Sequence, residues 1–268
     1  MESLDWHSAR ALLAWQIEMG ADEAILDAPV DRYAEQPPQP APQDTRPAAS
    51  PPRAQMAAEG AKVAEVDPVA VAQAAASAAQ DLPSLAAAQQ AFDHLDLKKG
   101  ARNFVFADGI PGARVMIVGE APGRDEDREG RPFVGRAGQL LDRMFAAIDM
   151  GRDRADAPLY ITNVLPWRPP QNRDPDPREA AMMLPFLKRH IELAAPNVLI
   201  LMGNAPCEAL LGRRGITRMR GSWTQLDGRP VLPMFHPAYL LRRPEAKREA
   251  WADLLDLRAW LDRNGRDG

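Results

Sequence analysis

The chain has 268 residues, of which 46% are hydrophobic and 26% are charged, a composition typical of one sizeable soluble domain with additional material. Its net charge of −4 conceals an asymmetry, because residues 1–97 hold 15 acidic and 5 basic side chains whereas residues 98–268 hold 22 and 28. A single cysteine, Cys207, excludes an internal disulfide and a metal site built from cysteines alone. No apolar run approaches the roughly 18 residues of a membrane span, and the first residues lack the basic and apolar regions of a signal peptide. We therefore expect a cytoplasmic protein without a membrane partner.

The first third of the chain is predicted to lie outside the main fold. Residues 1–28 indicate a helical segment with one apolar stripe that includes Leu12 and Trp15. Residues 29–81 are rich in proline and alanine, with eight prolines in the first half, and are predicted to form a disordered linker. We interpret the helix as a docking element, either for a protein partner or for the folded body.

Residues 82–268 show an alternation of apolar runs and helical periodicity. Four runs predict strands, at residues 114–119, 159–164, 197–203 and 229–235. A helix is predicted to begin after Asp176 as its N-cap, and Asp227-Gly228 indicates a tight turn before the last strand. The alternation predicts an α/β fold with three α/β/α layers, in which helices cover both faces of a central, mostly parallel four-stranded sheet.

Each predicted strand ends in polar residues. Glu120 follows the first strand, Asn163 closes the second, Asn204 follows the third and His236 follows the fourth. The carboxyl ends of parallel strands meet at one edge of a sheet, where α/β proteins bind their ligands. We therefore predict that a carboxylate, amides and an imidazole converge on one site. The other histidines, His7, His94 and His190, are interpreted as surface or core residues.

Four long motifs resemble the bacterial family 4 uracil-DNA glycosylases. They are "GEAPGRDEDREGRPFVGRAGQLLDRM", "YITNVLPWRPPQNRDPDPRE", "GITRMRGSW" and "FHPAYLLRRPEAKREAWADL", and the resemblance covers about residues 90–258. It implies a uracil-DNA glycosylase-like catalytic domain that flips uracil out of DNA and hydrolyses the N-glycosidic bond, which initiates base excision repair. A monomer acting on uracil-containing DNA is expected.

The resemblance implies three uracil-binding residues, Phe133, Asn163 and Asn172. Phe133 matches the aromatic residue that stacks on the base in this family. The Asn163 amide has both a donor and an acceptor, so it can accept from uracil N3–H and donate to O4, an arrangement that cytosine does not satisfy. Asn172 is implied as a further residue of the pocket.

Three residues are predicted to serve catalysis, namely Glu120, Glu126 and His236. His236 can donate a hydrogen bond to uracil O2 as negative charge develops on the leaving base. The resemblance assigns the attacking water to Glu126, but Glu120 lies close in sequence, and the choice between the two carboxylates stays open. Other uracil-DNA glycosylase families have an aspartate where this chain has Ala121, so the resemblance does not imply strong general-base catalysis.

The segment after His236 is predicted to contact DNA. In this fold it enters the minor groove, where Leu240 or Leu241 can wedge into the stack left by the flipped base. The basic residues beyond can contact phosphates, although solvent-exposed cations of an amphipathic helix would give the same pattern for the last two. These basic residues are Arg242, Arg243, Lys247 and Arg248.

Most members of the family hold a [4Fe–4S] cluster with four cysteines, which this chain lacks. The corresponding positions are Phe92, Leu95, Trp167 and Met183. None of these side chains can ligate iron through a thiolate, so no metal or other cofactor is expected. We hypothesise that the four apolar residues meet as a hydrophobic plug that replaces the cluster.

Two other functions are consistent with parts of the sequence. A non-catalytic or uracil-trapping DNA-binding protein on the same scaffold would account for the lost cluster cysteines and for Ala121. An α/β nucleotide-binding enzyme is disfavoured, because the chain has neither a G-x-G-x-x-G motif nor the lysine signature of a P-loop.

Overall fold

A computed structural model describes residues 67–265 of the chain. The predicted N-terminal helix and most of the predicted linker lie outside the described residues. Within the described range, no helix is long and apolar enough to cross a membrane.

One mixed sheet of six strands forms the centre of the fold, in the spatial order β1-β3-β2-β4-β6-β5. The strands are β1 (Ala107–Gly109), β2 (Val115–Gly119), β3 (Leu159–Asn163), β4 (Val198–Met202), β5 (Thr224–Leu226) and β6 (Arg229–Met234). The four inner strands are parallel to one another and correspond to the four predicted strands. The predicted four-stranded sheet is corrected to six strands, because β1 and β5 add short antiparallel edges.

Ten α-helices surround the sheet in the described range. They are α1 (Pro68–Ala78), α2 (Leu82–Ala91), α3 (Leu97–Gly100), α4 (Arg124–Glu129), α5 (Arg136–Ala146), α6 (Pro177–Ala194), α7 (Asn204–Leu211), α8 (Ile216–Met219), α9 (Pro237–Arg242) and α10 (Lys247–Arg263). The predicted cap of α6 is confirmed, because the Asp176 carboxylate accepts from Arg178 N at 2.8 Å and the Glu179 carboxylate accepts from Asp176 N at 2.9 Å. The predicted tight turn is also confirmed, since Asp227 (φ 49°) and Gly228 (φ 79°) join β5 to β6.

The core has two layers, one on each face of the sheet. Successive residues of a strand point to opposite faces, so Met116 joins one hydrophobic cluster and Ile117 joins the other. The first cluster takes in residues of α1, α2, α6 and α7, and the second takes in residues of α5 and α10. This arrangement confirms the predicted α/β architecture with helices on both faces.

The folded domain includes α1 and therefore begins earlier in the chain than the predicted boundary at residue 82. Ala72 and Ala76 are buried against α6, and the Arg189 guanidinium donates to the carbonyl of Ala79 at 2.8 Å. The segment 67–81 therefore belongs to the fold, and its assignment to the linker was wrong. Alanine supplies little apolar bulk, but its small side chain lets two helices approach closely, which composition alone does not reveal.

His190 is a buried structural residue, as predicted. Its Nε2 lies 2.9 Å from the Tyr160 hydroxyl, and its ring stacks on Phe106 with centroids 4.2 Å apart. Burial lowers the pKa of His190 to about 3, so the imidazole is neutral in the folded protein.

Candidate active site

A cavity of about 760 Å³ opens at the carboxyl ends of the four parallel strands. The residues that follow or close these strands all line it, as the sequence predicted: Glu120, Asn163, Gly203, Asn204 and His236. Because the strands are parallel and in register, residues that are more than a hundred positions apart in sequence share one small volume.

Asn163 closes β3 at the base of this cavity. Its side chain is buried, with the residue only 7% exposed, and its Oδ1 has no hydrogen-bond partner among the described residues. A buried polar atom without a partner costs free energy, so native proteins rarely retain one without a purpose. Gly119, paired beside it on β2, leaves the necessary room, because a Cβ there would overlap both Asn163 Oδ1 and the Phe133 ring.

Phe133 lies in the loop between α4 and α5 and forms an aromatic wall of the cavity. Its ring centroid lies 5.4 Å from that of the His236 imidazole, at an interplanar angle of 31°. Its φ of 54° falls in the left-handed region that bulky residues rarely adopt. The backbone here is held in a costly conformation that aims the ring at the site.

His236 is the N-cap of α9, and this position defines its tautomer. Its Nδ1 accepts a hydrogen bond from Ala238 N at 3.1 Å. Desolvation, followed by the positive charge of Arg242, lowers the pKa of His236 to about 4. The neutral imidazole must therefore carry its proton on Nε2, which makes that nitrogen a hydrogen-bond donor.

The two candidate carboxylates have different surroundings. Glu126 Oε1 accepts from Val134 N at 3.0 Å and Gly135 N at 2.9 Å, and its Oε2 accepts from Gly123 N at 3.1 Å. The Glu120 carboxylate makes no hydrogen bond or ion pair with residues 67–265, and its pKa is raised by burial and by Asp174. Both residues line the cavity, but of the two carboxylates only that of Glu120 has oxygens without a hydrogen-bond donor in the part of the chain that the structure describes.

The two further amides near the cavity already have partners. Asn172 Oδ1 accepts from Arg168 Nε at 2.7 Å, and Asn172 lines the cavity from an exposed turn. Asn204 Oδ1 accepts from Gly215 N at 3.1 Å and Ile216 N at 2.9 Å, which fixes the start of α8. Asn204 therefore has a structural contact for its amide oxygen, although the strand-end pattern made it a site candidate.

The residues of the predicted DNA-contacting segment differ in their exposure to solvent. Leu240 is only 1% exposed and packs in the core, so its prediction as a DNA wedge is corrected. Leu241, the next residue on α9, is half-buried. The basic residues predicted beside it are all exposed: Arg242, Arg243, Lys247 and Arg248. Arg242 also lines the cavity.

Sequence reasoning missed the residues that hold Phe133 in place. Arg152 donates to the carbonyls of Pro132 and Phe133 at 3.0 and 2.9 Å and is buried beneath them. It occurs in the polar stretch "GRDRADAP", which has the composition of a solvated loop. No local signal separates Arg152 from Arg154, which forms an exposed pair with Asp156.

Comparison with known proteins shows the family of the chain. A family model described as "Uracil DNA glycosylase superfamily" matches residues 106–255, more than half of the chain and all four parallel strands. The chain belongs to the uracil DNA glycosylase superfamily. The predicted family resemblance is thereby confirmed at the level of the superfamily, whose members are DNA glycosylases, a class of hydrolase.

Within this superfamily, the chain is similar to proteins named type-4 uracil-DNA glycosylase. The protein from Archaeoglobus fulgidus is 40% identical over 167 residues, which cover 59% of this chain and 82% of the relative. The protein from Thermotoga maritima is 39% identical over 170 residues, covering 61% and 85%. The protein from Sulfurisphaera tokodaii is 37% identical over 165 residues, covering 58% and 74%.

The side chains at the expected cluster positions do not fit an iron–sulfur cluster. Phe92, Leu95, Trp167 and Met183 are all buried and belong to one hydrophobic cluster. Residues 67–265 contain no group of three or more His, Cys, Asp or Glu side chains that could hold a metal ion. Cys207, on α7, belongs to the same hydrophobic cluster but does not stand at any of the four expected positions, and burial raises the pKa of its thiol to about 12.

Proposed function

We propose that this protein is a uracil-DNA glycosylase that binds a flipped uracil in the cavity and hydrolyses its N-glycosidic bond. Asn163 Oδ1 carries the proposal, because it has no hydrogen-bond partner among residues 67–265 and lies in a cavity shared with Phe133 and His236. The names of the similar proteins agree with this assignment.

Asn163 accounts for recognition of uracil. Its Oδ1 can accept from the N3–H of uracil, and its Nδ2 can donate to O4. Cytosine presents an acceptor at N3 and a donor at C4, so it leaves the buried Oδ1 unsatisfied or repelled. A site built to hydrogen-bond one pattern rejects the wrong pattern strongly. Phe133 supplies a face on which any pyrimidine can stack, so it contributes affinity rather than selectivity.

His236 accounts for stabilisation of the leaving group. When the bond between uracil N1 and the sugar C1′ breaks, its electron pair stays on the base and charge spreads to O2. The Nε2–H of neutral His236 can donate to that oxygen. Water forms the new bond to C1′, and its released proton passes to the uracil anion or to solvent, so atoms and charge balance.

Glu120 is proposed as the carboxylate that assists this step. Its unused oxygens can hold the attacking water or stabilise positive charge on the sugar, whereas three backbone N–H groups already occupy Glu126. The raised pKa of Glu120 agrees with a desolvated position on the cavity wall. The cationic α9 segment follows the site, where Leu241 can enter the DNA stack and Arg242, with its neighbours, can contact phosphates.

A hydrophobic plug is proposed to take the structural place of the cluster. Phe92 packs edge-on against Phe186 with ring centroids 5.6 Å apart, and Trp167 packs on Phe104 at 5.2 Å. The buried Gln89 amide donates to Met183 Sδ at 3.6 Å. Iron analysis and absorbance near 400 nm of aerobically and anaerobically purified protein test this proposal, and stoichiometric iron would contradict it.

Excision from a uracil-containing oligonucleotide tests the proposed activity. Alkaline cleavage of abasic sites should give strand scission with the wild type, and scission should fall sharply with Asn163→Ala and His236→Ala. Asn264→Ala is a matched control. Within the described residues the Asn264 side chain bonds only the carbonyl of Trp260, and Asn264 caps the C-terminal end of α10 and does not line the cavity. A folded wild type that gives no scission contradicts the proposal. A gel shift on the same samples then shows whether the protein binds uracil-DNA without cleaving it.

A further inference from the structure

We propose that Arg152 is a positioning residue that acts with Glu126 as a clamp on the backbone around Phe133. The clamp consists of these two side chains and the peptide groups of residues 132–135. It fixes the angle and depth at which the Phe133 ring meets a bound base. This inference rests on the proposed function and adds a residue outside the cavity to it.

Arg152 uses all five of its N–H groups within this region. Two go to the backbone, because Nη1 donates to Pro132 O at 3.0 Å and Nη2 donates to Phe133 O at 2.9 Å. The other three go to carboxylates, namely Asp108 Oδ2 at 2.7 Å and Asp142 Oδ1 at 3.0 and 2.8 Å. A guanidinium is the only side chain with five donors in a rigid plane, and lysine cannot reproduce this pattern.

Glu126 is the second part of the clamp, and its carboxylate accepts from backbone N–H groups of the same segment. Its Oε1 accepts from Val134 N at 3.0 Å and from Gly135 N at 2.9 Å. The cation therefore holds the two carbonyls of residues 132 and 133, and the anion holds the two N–H groups of residues 134 and 135. Four consecutive residues thus each give one backbone group to a charged side chain, and charge-assisted hydrogen bonds are stronger than neutral ones.

The conformation of Phe133 explains why such a clamp is needed. Its positive φ of 54° is unfavourable for a bulky residue and persists only where surrounding contacts enforce it. Gly138 of α5 completes the enclosure, because a Cβ there would overlap the Phe133 carbonyl. Without Arg152, the segment could relax to an ordinary φ, and the ring would turn away from His236.

Arg152 acts at a distance from the chemistry. It is 8% exposed and does not line the cavity, whereas Phe133 does. Its effect on a bound base must therefore pass through the Phe133 backbone. A residue that only stabilised the fold would change the fraction of folded protein and leave the affinity of the folded fraction unaltered. This difference gives a measurable signature.

Kinetics on a uracil-containing oligonucleotide provide the first test. Arg152→Met should raise KM and the inhibition constant for free uracil by about tenfold, the equivalent of about 1.4 kcal/mol. Arg152→Lys should give no more than partial recovery. In a Phe133→Ala background, where no ring remains to be positioned, Arg152→Met should change these constants less than twofold. Equal effects in both backgrounds would overturn the proposal, because Arg152 would then act independently of Phe133.

Hydrogen exchange provides a second test that does not depend on activity. The amides of Val134 and Gly135 should exchange faster in Arg152→Met than in the wild type. Arg189→Met is the matched control, since Arg189 also donates twice to a backbone carbonyl but lies away from the cavity. Unchanged exchange at residues 134 and 135 would overturn the clamp. If exchange changes but the wild type excises no uracil, the clamp stands and the proposed function fails.

Discussion

The two roles of His236 can be separated by substitution. Its Nδ1 caps α9 by accepting from Ala238 N at 3.1 Å, and its Nε2–H is the proposed donor to the leaving uracil. Asparagine places an acceptor near the position of Nδ1 but has no atom at the position of Nε2. His236→Asn should therefore keep the cap and lose the donor, whereas His236→Ala should lose both.

The expected sizes of these two effects differ. Loss of one donor to a developing negative charge costs about 10²- to 10³-fold in kcat, or about 2.7–4 kcal/mol. Replacement of an N-cap by alanine costs about 1 kcal/mol of stability, and asparagine is among the best N-cap residues. Both variants should show the same loss in single-turnover excision, and the asparagine variant should be the more stable by about 1 kcal/mol in urea unfolding.

Two results would refute this account. A near-wild-type rate for His236→Asn would show that Nε2 donates to nothing in the transition state. A rate of the wild type that falls as pH rises through 6.5 would show that the cationic imidazole is the active form. Because the pKa of His236 is lowered to about 4, the neutral form prevails above that pH, and titration of His236 should not change the rate there. Protonation as pH falls through about 4 keeps the Nε2–H but turns Nδ1 from an acceptor into a donor, which removes the cap of α9.

Three further predictions follow from buried groups. Gly119→Ala should lower the rate of uracil excision, since its Cβ overlaps Asn163 Oδ1 and the Phe133 ring, and should destabilise the fold by about 1–3 kcal/mol in urea unfolding through overpacking; a wild-type excision rate would contradict this. The free energy of unfolding should fall as pH drops from about 6.5 toward 3, by up to about 1.4 kcal/mol per pH unit from His190, because the unfolded state binds the proton first. Urea titrations at several pH values should show that the unfolding free energy of His190→Gln changes less with pH than that of the wild type. Trp167→Ala should destabilise the protein by about 3–5 kcal/mol in urea unfolding, and a loss under 1 kcal/mol would show that the hydrophobic plug contributes little.

The inner part of the sheet could be predicted because its strands are distinctive. Successive residues of β2 and β4, such as Val115, Met116 and Ile117, are all buried, so these strands are covered on both faces of the sheet. A continuous apolar run rich in β-branched residues is typical of that environment. The polar strand ends could be predicted with them, since parallel pairing alone brings Asn163 and His236 to one edge of the sheet.

The missed features depend on contacts that are distant in sequence or too short to form a pattern. Strands β1 and β5 have three residues each, fewer than any periodicity needs. The six-residue helix α9 is too short to show which face is buried, so Leu240 and Leu241 looked equivalent. Arg152 acquires its role from carboxylates 44 and 10 residues away, and no local signal marks such a contact.

The short edge strands β1 and β5 also bear on how the protein behaves at high concentration. An exposed sheet edge offers unpaired N–H and C=O groups on which another chain can add a strand and begin aggregation. Here each outer strand is only three residues long and runs antiparallel to the parallel interior. The four longer, apolar strands each have a neighbouring strand on both sides, so they offer no free edge on which the sheet could grow from chain to chain.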